Sequence, residues 1–489
     1  MKAEVTIHIP VSDALTALAL MGDLSMGQPS DHSRRVAWLA QRAGLELGLD
    51  ATACECLYQT AVLRWVGCTA NASEVSAAIT DDVLGRGALL ALRQEDVCFL
   101  ISPNQVARKS QEISAIHCEI SVIIAQALGL GEQVSAALGC LFETWDGTGY
   151  PRGIGGDEIP LAVFLVVLCG DIDILSREYG VARAQEFLQM RANAVYPSRL
   201  VSFVSRRMQS WLDELNLQGD FTRPANSVSA GSVVDLSLLA DAIDLKLPWL
   251  TGHSRRVAQL AASVAAHSGM PQAQQTSVVR AALLHGMGRV AIPNAVWNRA
   301  GPLTHADWER VRLSPYWTAR VAGQIKSLEI EADIASHAYE RLDGSGYYRA
   351  ARNASTSPAH RVLPVVTTWL ALQSPRPWRA SMDREAALDH MQRQTALGRF
   401  DPKMTEILLG VETGQAPPET EPRSGPYVLT ARECEVLQRI SQGHSNKEVA
   451  RILGISPSTV RAHCESVFRK LDCKSRAAAT LKASSLGFL

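Results

Sequence analysis

The feature that most constrains this 489-residue chain is an internal repeat. Asp31-His32-Ser33-Arg34-Arg35-Val36-Ala37 returns as Gly252-His253-Ser254-Arg255-Arg256-Val257-Ala258. Trp145-Asp146-Gly147-Thr148-Gly149-Tyr150 returns, in the same order along the chain, as Leu342-Asp343-Gly344-Ser345-Gly346-Tyr347. Two landmarks repeated in order imply a duplicated module, so whatever fold one half adopts the other adopts too. Around the landmarks Ala, Leu and Val recur every three or four residues, as in VAWLAQRAGLELGL and VAQLAASVAAHSGM. That is the period of amphipathic helices, and clearly alternating strands are absent.

Two stretches read as linkers. Residues 218–232 are polar with Pro, Gly and Ser, and residues 412–426 are rich in Pro and Glu. They divide the chain into helical modules at 1–217 and 233–411 and a C-terminal segment at 427–489. The predicted fold class is all-α: two tandem helical domains followed by a small four-helix domain. Ten cysteines are scattered singly without a CxxC pair, which fits buried thiols in a reducing compartment better than a disulfide framework. The most apolar run, residues 159–169, is too short to span a bilayer and suits a buried helix. No signal peptide is visible, so the expectation is a cytoplasmic protein with no membrane partner.

The C-terminal segment has unusually legible helix boundaries. Thr430 with Glu433 and Ser445 with Glu448 form capping boxes. Gly443 and Gly454 follow the helices these begin, Ser456 with Pro457 opens a third helix, and a fourth follows Ser475. Leu437, Ile440, Val449, Leu453, Ile455, Val460, Val467 and Leu471 fall at core spacing. Residues 428–489 hold ten basic and five acidic residues, a net +5 in a chain whose total is −1. Such a basic face on an otherwise acidic protein is an electrostatic footprint of DNA binding.

LTARECEVL, SNKEVARILGIS, STVRAH and KLDCKSRAAA resemble the LuxR-type (GerE-like) helix-turn-helix family almost position by position. The resemblance implies a third helix that enters the major groove and a fourth that commonly mediates dimerisation. Carried onto this chain, Lys447, Ser458, Thr459, Val460, Arg461 and His463 are the expected DNA-facing positions, with Lys470 on a backbone phosphate. The expected partners are double-stranded DNA, a second copy of the chain and an unidentified small-molecule ligand.

In the second module HSRRVAQLA, ALLHGMGRVAIP, GPLTHADWERVRLSPYWTARV and ASHAYERLDGSGYYRA resemble, in order, the HD-GYP subgroup of HD-domain phosphohydrolases. The first module resembles it more weakly, best in ETWDGTGYPRGIGGDEIPLAV. The resemblance implies a metal centre of histidines and aspartates that activates water against a phosphodiester. At the ligand positions the second module carries His253, His285-Gly286, Ser314, His337-Ala338 and Thr367, with Arg289 where a lysine is expected. The first module carries His32, Arg64-Trp65, Leu141-Phe142 and Gly170, with Asp171 beside it. No ligand carboxylate remains in the second module, so no catalytic residue, metal or cofactor is assigned, and His253, His285 and His337 read as vestigial ligand positions. They are ordinary core histidines on the first reading and ligands of a three-histidine zinc-like site on the second. The expectation is a DNA-binding transcriptional regulator whose degenerate modules sense, dimerise or autoinhibit. The alternative is a metal-dependent phosphohydrolase of cyclic dinucleotides with a DNA-binding tail.

Overall fold

The computed structural model describes residues 7–218, 231–350, 356–414 and 429–489. Most of both predicted linkers therefore lies outside the described residues. The chain forms two compact units. One spans Pro10–Val234; the other joins Asp235–Leu489 to the residues up to Ile9. The fold is all-helical as expected, except for one ribbon of two three-residue strands, β1 (His8–Pro10) and β2 (Val233–Asp235).

Within the first unit the helices that carry the argument are α1 (Val11–Ser25), α2 (His32–Glu46), α3 (Ala51–Leu63), α4 (Pro103–Ala127) and α5 (Leu161–Tyr179). α2 buries His32, Ser33, Val36, Ala37, Leu39, Ala40 and Ala43, a stripe at helical spacing that packs on α3 and α5. The apolar run at 159–169 opens α5 and is largely buried there. Among the described residues no helix is long and apolar enough to cross a membrane. All ten cysteines are free, eight of them buried.

The second unit repeats this plan with α6 (Ser237–Asp244), α7 (His253–His267), α8 (Gln272–Leu284), α9 (Ser314–Ala322), α10 (Glu329–Ser336) and α11 (Pro358–Gln373). The duplication extends to contacts that the sequence alone did not reveal. Asp23 accepts from the Ser33 amide and hydroxyl, and Asp244 does the same from Ser254. Glu143 receives the Arg152 amide at 2.8 Å, and Glu340 the Arg349 amide at 2.8 Å. In the two glycine loops Gly147 and Gly344 adopt φ of 76° and 80°, the left-handed region that glycine enters freely. A Cβ at Gly149 or Gly346 would lie 2.5 or 2.6 Å from the Cα of Glu143 or Glu340, so these loops are tight turns.

The C-terminal bundle consists of α12 (Ala431–Ser441), α13 (Asn446–Leu453), α14 (Pro457–Lys470) and α15 (Arg476–Ser485). Both capping boxes form, Ser456 and Ser475 cap α14 and α15, and Gly454 ends α13 in the left-handed conformation at φ 65°. Each such cap is worth about 1 kcal/mol. α15 packs on α12 and also on α6 of the helical module. Thr251, buried beside α7, donates to the Ser441 carbonyl at 2.7 Å.

Candidate functional site

In the second module the ligand positions converge partly. His253 and His285 lie edge to face with ring centroids 5.8 Å apart, both buried. The His285 Nδ1 proton goes to the Ala282 carbonyl (2.6 Å), which leaves Nε2 as an acceptor for Arg289 Nη2 at 3.0 Å. Burial, then the Arg289 charge, hold the His285 pKa down to about 3, so the ring is neutral. Burial and the same arginine push His253 well below its ordinary value, and His253 Nδ1 has no hydrogen-bond partner.

The Arg289 guanidinium fills the middle of this cluster. It also donates to the Tyr339 hydroxyl at 2.9 Å and lies 3.5 Å from Asp244 Oδ1. Burial pushes the Asp244 pKa up to about 6 against the opposing pull of Arg289. A Cβ built at Gly286 would stand 2.6 Å from Arg289 Nη1. The absence of a side chain at 286 and the guanidinium from 289 are thus one steric arrangement. Ser314 is buried with its Oγ unpartnered, and the Thr367 hydroxyl turns back to the Leu363 and Ala338 carbonyls at 2.7 and 3.0 Å.

His337 does not join the other two histidines. Its Nδ1 meets the Asp333 carbonyl at 2.8 Å and its ring lies edge-on to His360 at 4.6 Å. The ligand atoms of His253, His285 and His337 do not gather within 4.8 Å of one another.

The first module reaches a parallel arrangement from different residues. Arg64, buried, donates Nη2 to His32 Nε2 and Nη1 to the Val166 carbonyl. A Cβ at Gly170 would stand 1.9 Å from Arg64 Nη1, so this position too is glycine where the guanidinium lies. On its other side His32 donates Nδ1 to Asp173 at 2.7 Å, and Arg35 and Arg177 also reach that carboxylate at 2.7 and 3.3 Å. Burial and Arg64 lower the His32 pKa to about 4. Asp171, the carboxylate next to Gly170, is occupied by the Tyr196 hydroxyl and Arg191. Trp65, Phe142 and His117 pack as an aromatic cluster, with His117 and Phe142 4.9 Å apart. His117 is the counterpart of Ser314, because Gly67 packs against its backbone as Gly288 packs against that of Ser314. Sequence reasoning passed over Asp23, Asp244, His117 and Asp173. The repeated ten-residue spacing from Asp23 to Ser33 and Asp244 to Ser254 was the available signal.

Comparison with known proteins follows this geometry. Residues 237–404 match the HD domain family, and residues 427–483 match the bacterial regulatory proteins of the luxR family. The chain joins an HD domain to a LuxR-type domain. A 3'3'-cGAMP-specific phosphodiesterase 3 of Vibrio cholerae is 25% identical over 78% of this chain and 90% of its own length. The cyclic di-GMP phosphodiesterase response regulator RpfG of Xanthomonas campestris is 29% identical over 40% of this chain and 52% of its own. The nitrate/nitrite response regulator NarP of Escherichia coli is 50% identical over 11% of this chain and 25% of its own. A crystal structure of a cyclic GMP-AMP-specific phosphodiesterase from V. cholerae superposes with a TM-score of 0.60 at 22% identity, covering 83% of this chain and 98% of that one, a likeness of fold.

On the LuxR-type domain Lys447, Ser458, Thr459 and Arg461 are exposed and His463 is half-buried. Arg461 pairs with Glu465 on its own helix, at 2.9 Å with both side chains open to solvent. One expectation changes. Val460 is fully buried in the bundle core, so its side chain is not on the exposed face that carries Thr459 and Arg461. Lys470 donates to Glu433 Oε2 at 2.7 Å, so a phosphate there would compete with a capping carboxylate.

Proposed function

We propose that the protein is a DNA-binding transcriptional regulator and that its two HD-type modules hydrolyse no phosphodiester. The observation that carries the reading is a buried guanidinium set against a glycine in each module, Arg289 against Gly286 and Arg64 against Gly170, at positions where the HD-GYP resemblance implies a carboxylate. A hard divalent ion needs anionic oxygen donors. Here a fixed positive charge lies against the first histidine in one module and the second in the other. The modules then serve to bind a small molecule and to hold the LuxR-type domain, whose α15 rests on α6. A mostly apolar cavity of about 230 Å³ in the first module, open to solvent and walled by Trp65, Phe99, Phe142 and Lys109, supports a ligand role. DNA is read by α14 with Ser458, Thr459, Arg461 and His463, and Lys447 adds a phosphate contact. The test is turnover of cyclic dinucleotides by the full chain with manganese or iron supplied, beside salt-dependent binding of duplex DNA. Metal-dependent turnover abolished by His285→Ala overturns the reading; DNA binding without turnover is the expected result.

A further inference from the structure

Asp333 and His337 stand one helical turn apart at the end of α10, so both project on the same face. His360, in the first turn of α11, closes on them. Its Nε2 lies 2.9 Å from Asp333 Oδ2, and the His337 Nδ1 is 3.8 Å from Asp333 Oδ1. One ligand atom from each residue falls within 4.8 Å of the others, an arrangement found for this trio alone among the described residues. Tetrahedral coordination spaces donor atoms roughly 3.3 Å apart, so closure asks for only small side-chain movements. The orientation is supported from behind: the Ser357 hydroxyl lies 2.8 Å from His360 Nδ1, turning Nε2 toward Asp333. Both histidines also line a small cavity of about 20 Å³, space for about one water as a fourth ligand.

We propose that Asp333, His337 and His360 bind a single divalent transition-metal ion of the zinc type, fastening the end of α10 to the start of α11. Two imidazoles and one carboxylate suit Zn²⁺, Co²⁺ or Fe²⁺ more than Mg²⁺ or Ca²⁺. Asp333 and His360 fall outside the ligand positions of the HD-GYP pattern, and His337 lies with them, apart from His253 and His285. The Arg349 guanidinium, 3.6 Å from Asp333 Oδ1 and partly exposed, swings outward when the ion enters.

The test is titration of the untagged, chelator-stripped full chain with Co²⁺, read by visible absorption, and with Zn²⁺, read by calorimetry. One ion per chain is expected, with a tetrahedral or five-coordinate cobalt spectrum. Asp333→Asn and His360→Gln should each weaken binding at least about 100-fold, whereas His285→Ala leaves it unchanged. Absence of stoichiometric binding, or binding that survives both Asp333→Asn and His360→Gln, overturns the proposal. The phosphodiesterase assay is read separately: turnover sinks the regulatory reading and leaves this site standing, whereas absence of stoichiometric binding sinks this site and leaves the regulatory reading standing.

Discussion

At the scale of single residues, the buried arginines and neutral histidines make the cluster around His285 sensitive to acid. Burial, then Arg289, hold His285 neutral down to about pH 3, whereas in the unfolded chain it takes a proton at its ordinary value of 6.5. The folded state therefore binds fewer protons than the unfolded state throughout that window, and its stability falls as pH falls from 6.5. The slope is on the order of 1 kcal/mol per pH unit for this one ring. His285→Gln should accordingly destabilise the chain at pH 7, where the ring's contacts are lost, and the difference from the wild type should shrink as pH drops to about 4. Denaturant unfolding of both proteins across that range measures it. A difference that is constant with pH means that His285 takes its proton at the same pH in the folded and unfolded chains. The positions of His253, His285 and Arg289 were legible in the sequence because the motif phrases are contiguous. Their replacements were less so: the Asp173 partner of His32 lies 141 residues away, and no local pattern links the two.

At the scale of elements, the C-terminal bundle was legible because caps and core spacing are local. Thr430, Ser445, Ser456 and Ser475 each cap the helix expected of them. Side-chain direction was less legible, and Val460 shows why. It sits between Thr459 and Arg461, both exposed, but the helical period turns its own side chain to the core. On the proposed reading, Arg461→Ala should cost about 1–3 kcal/mol of specific DNA binding and relax preference at one base pair. Its partner Glu465 does little to oppose this, since an exposed pair of this kind is worth well under about 1 kcal/mol. Lys470→Ala should weaken all sequences alike and lower the salt dependence. It should also loosen the α12 cap, because Glu433, whose pKa sits at about 2 against the cost of its burial, loses the ammonium that helps hold it there. Competition binding on single-substitution duplexes separates the two variants; equal effects on every duplex from both would remove Arg461 from base recognition.

At the scale of the whole molecule, the duplication and the basic C-terminal segment set the domain order in advance, but not the seating of α15. The LuxR-type resemblance assigns that helix to dimerisation, yet here it packs on α6, with Thr251 bonded to the Ser441 carbonyl and Gly443 against Pro248. If one surface of α15 serves both, docking on the HD domain and pairing with a second copy exclude each other. One recognition helix reads only a few base pairs, and a dimer places two about 34–36 Å apart on an inverted repeat. Release of α15 would then be the step that permits tight binding. Thr251→Lys puts a charged side chain where a buried hydroxyl met the Ser441 carbonyl, so the docked arrangement loses stability while the DNA-facing surface is untouched. The variant should show a larger dimer fraction by light scattering, faster amide exchange across α15, and severalfold tighter binding to an inverted-repeat duplex than the wild type. The gain should vanish on a half-site, where a second copy has nothing to read. Tighter binding to half-site and full site alike would mean that docking masks α14 itself, and a variant that stays monomeric on a saturated full site would rule out the dimer.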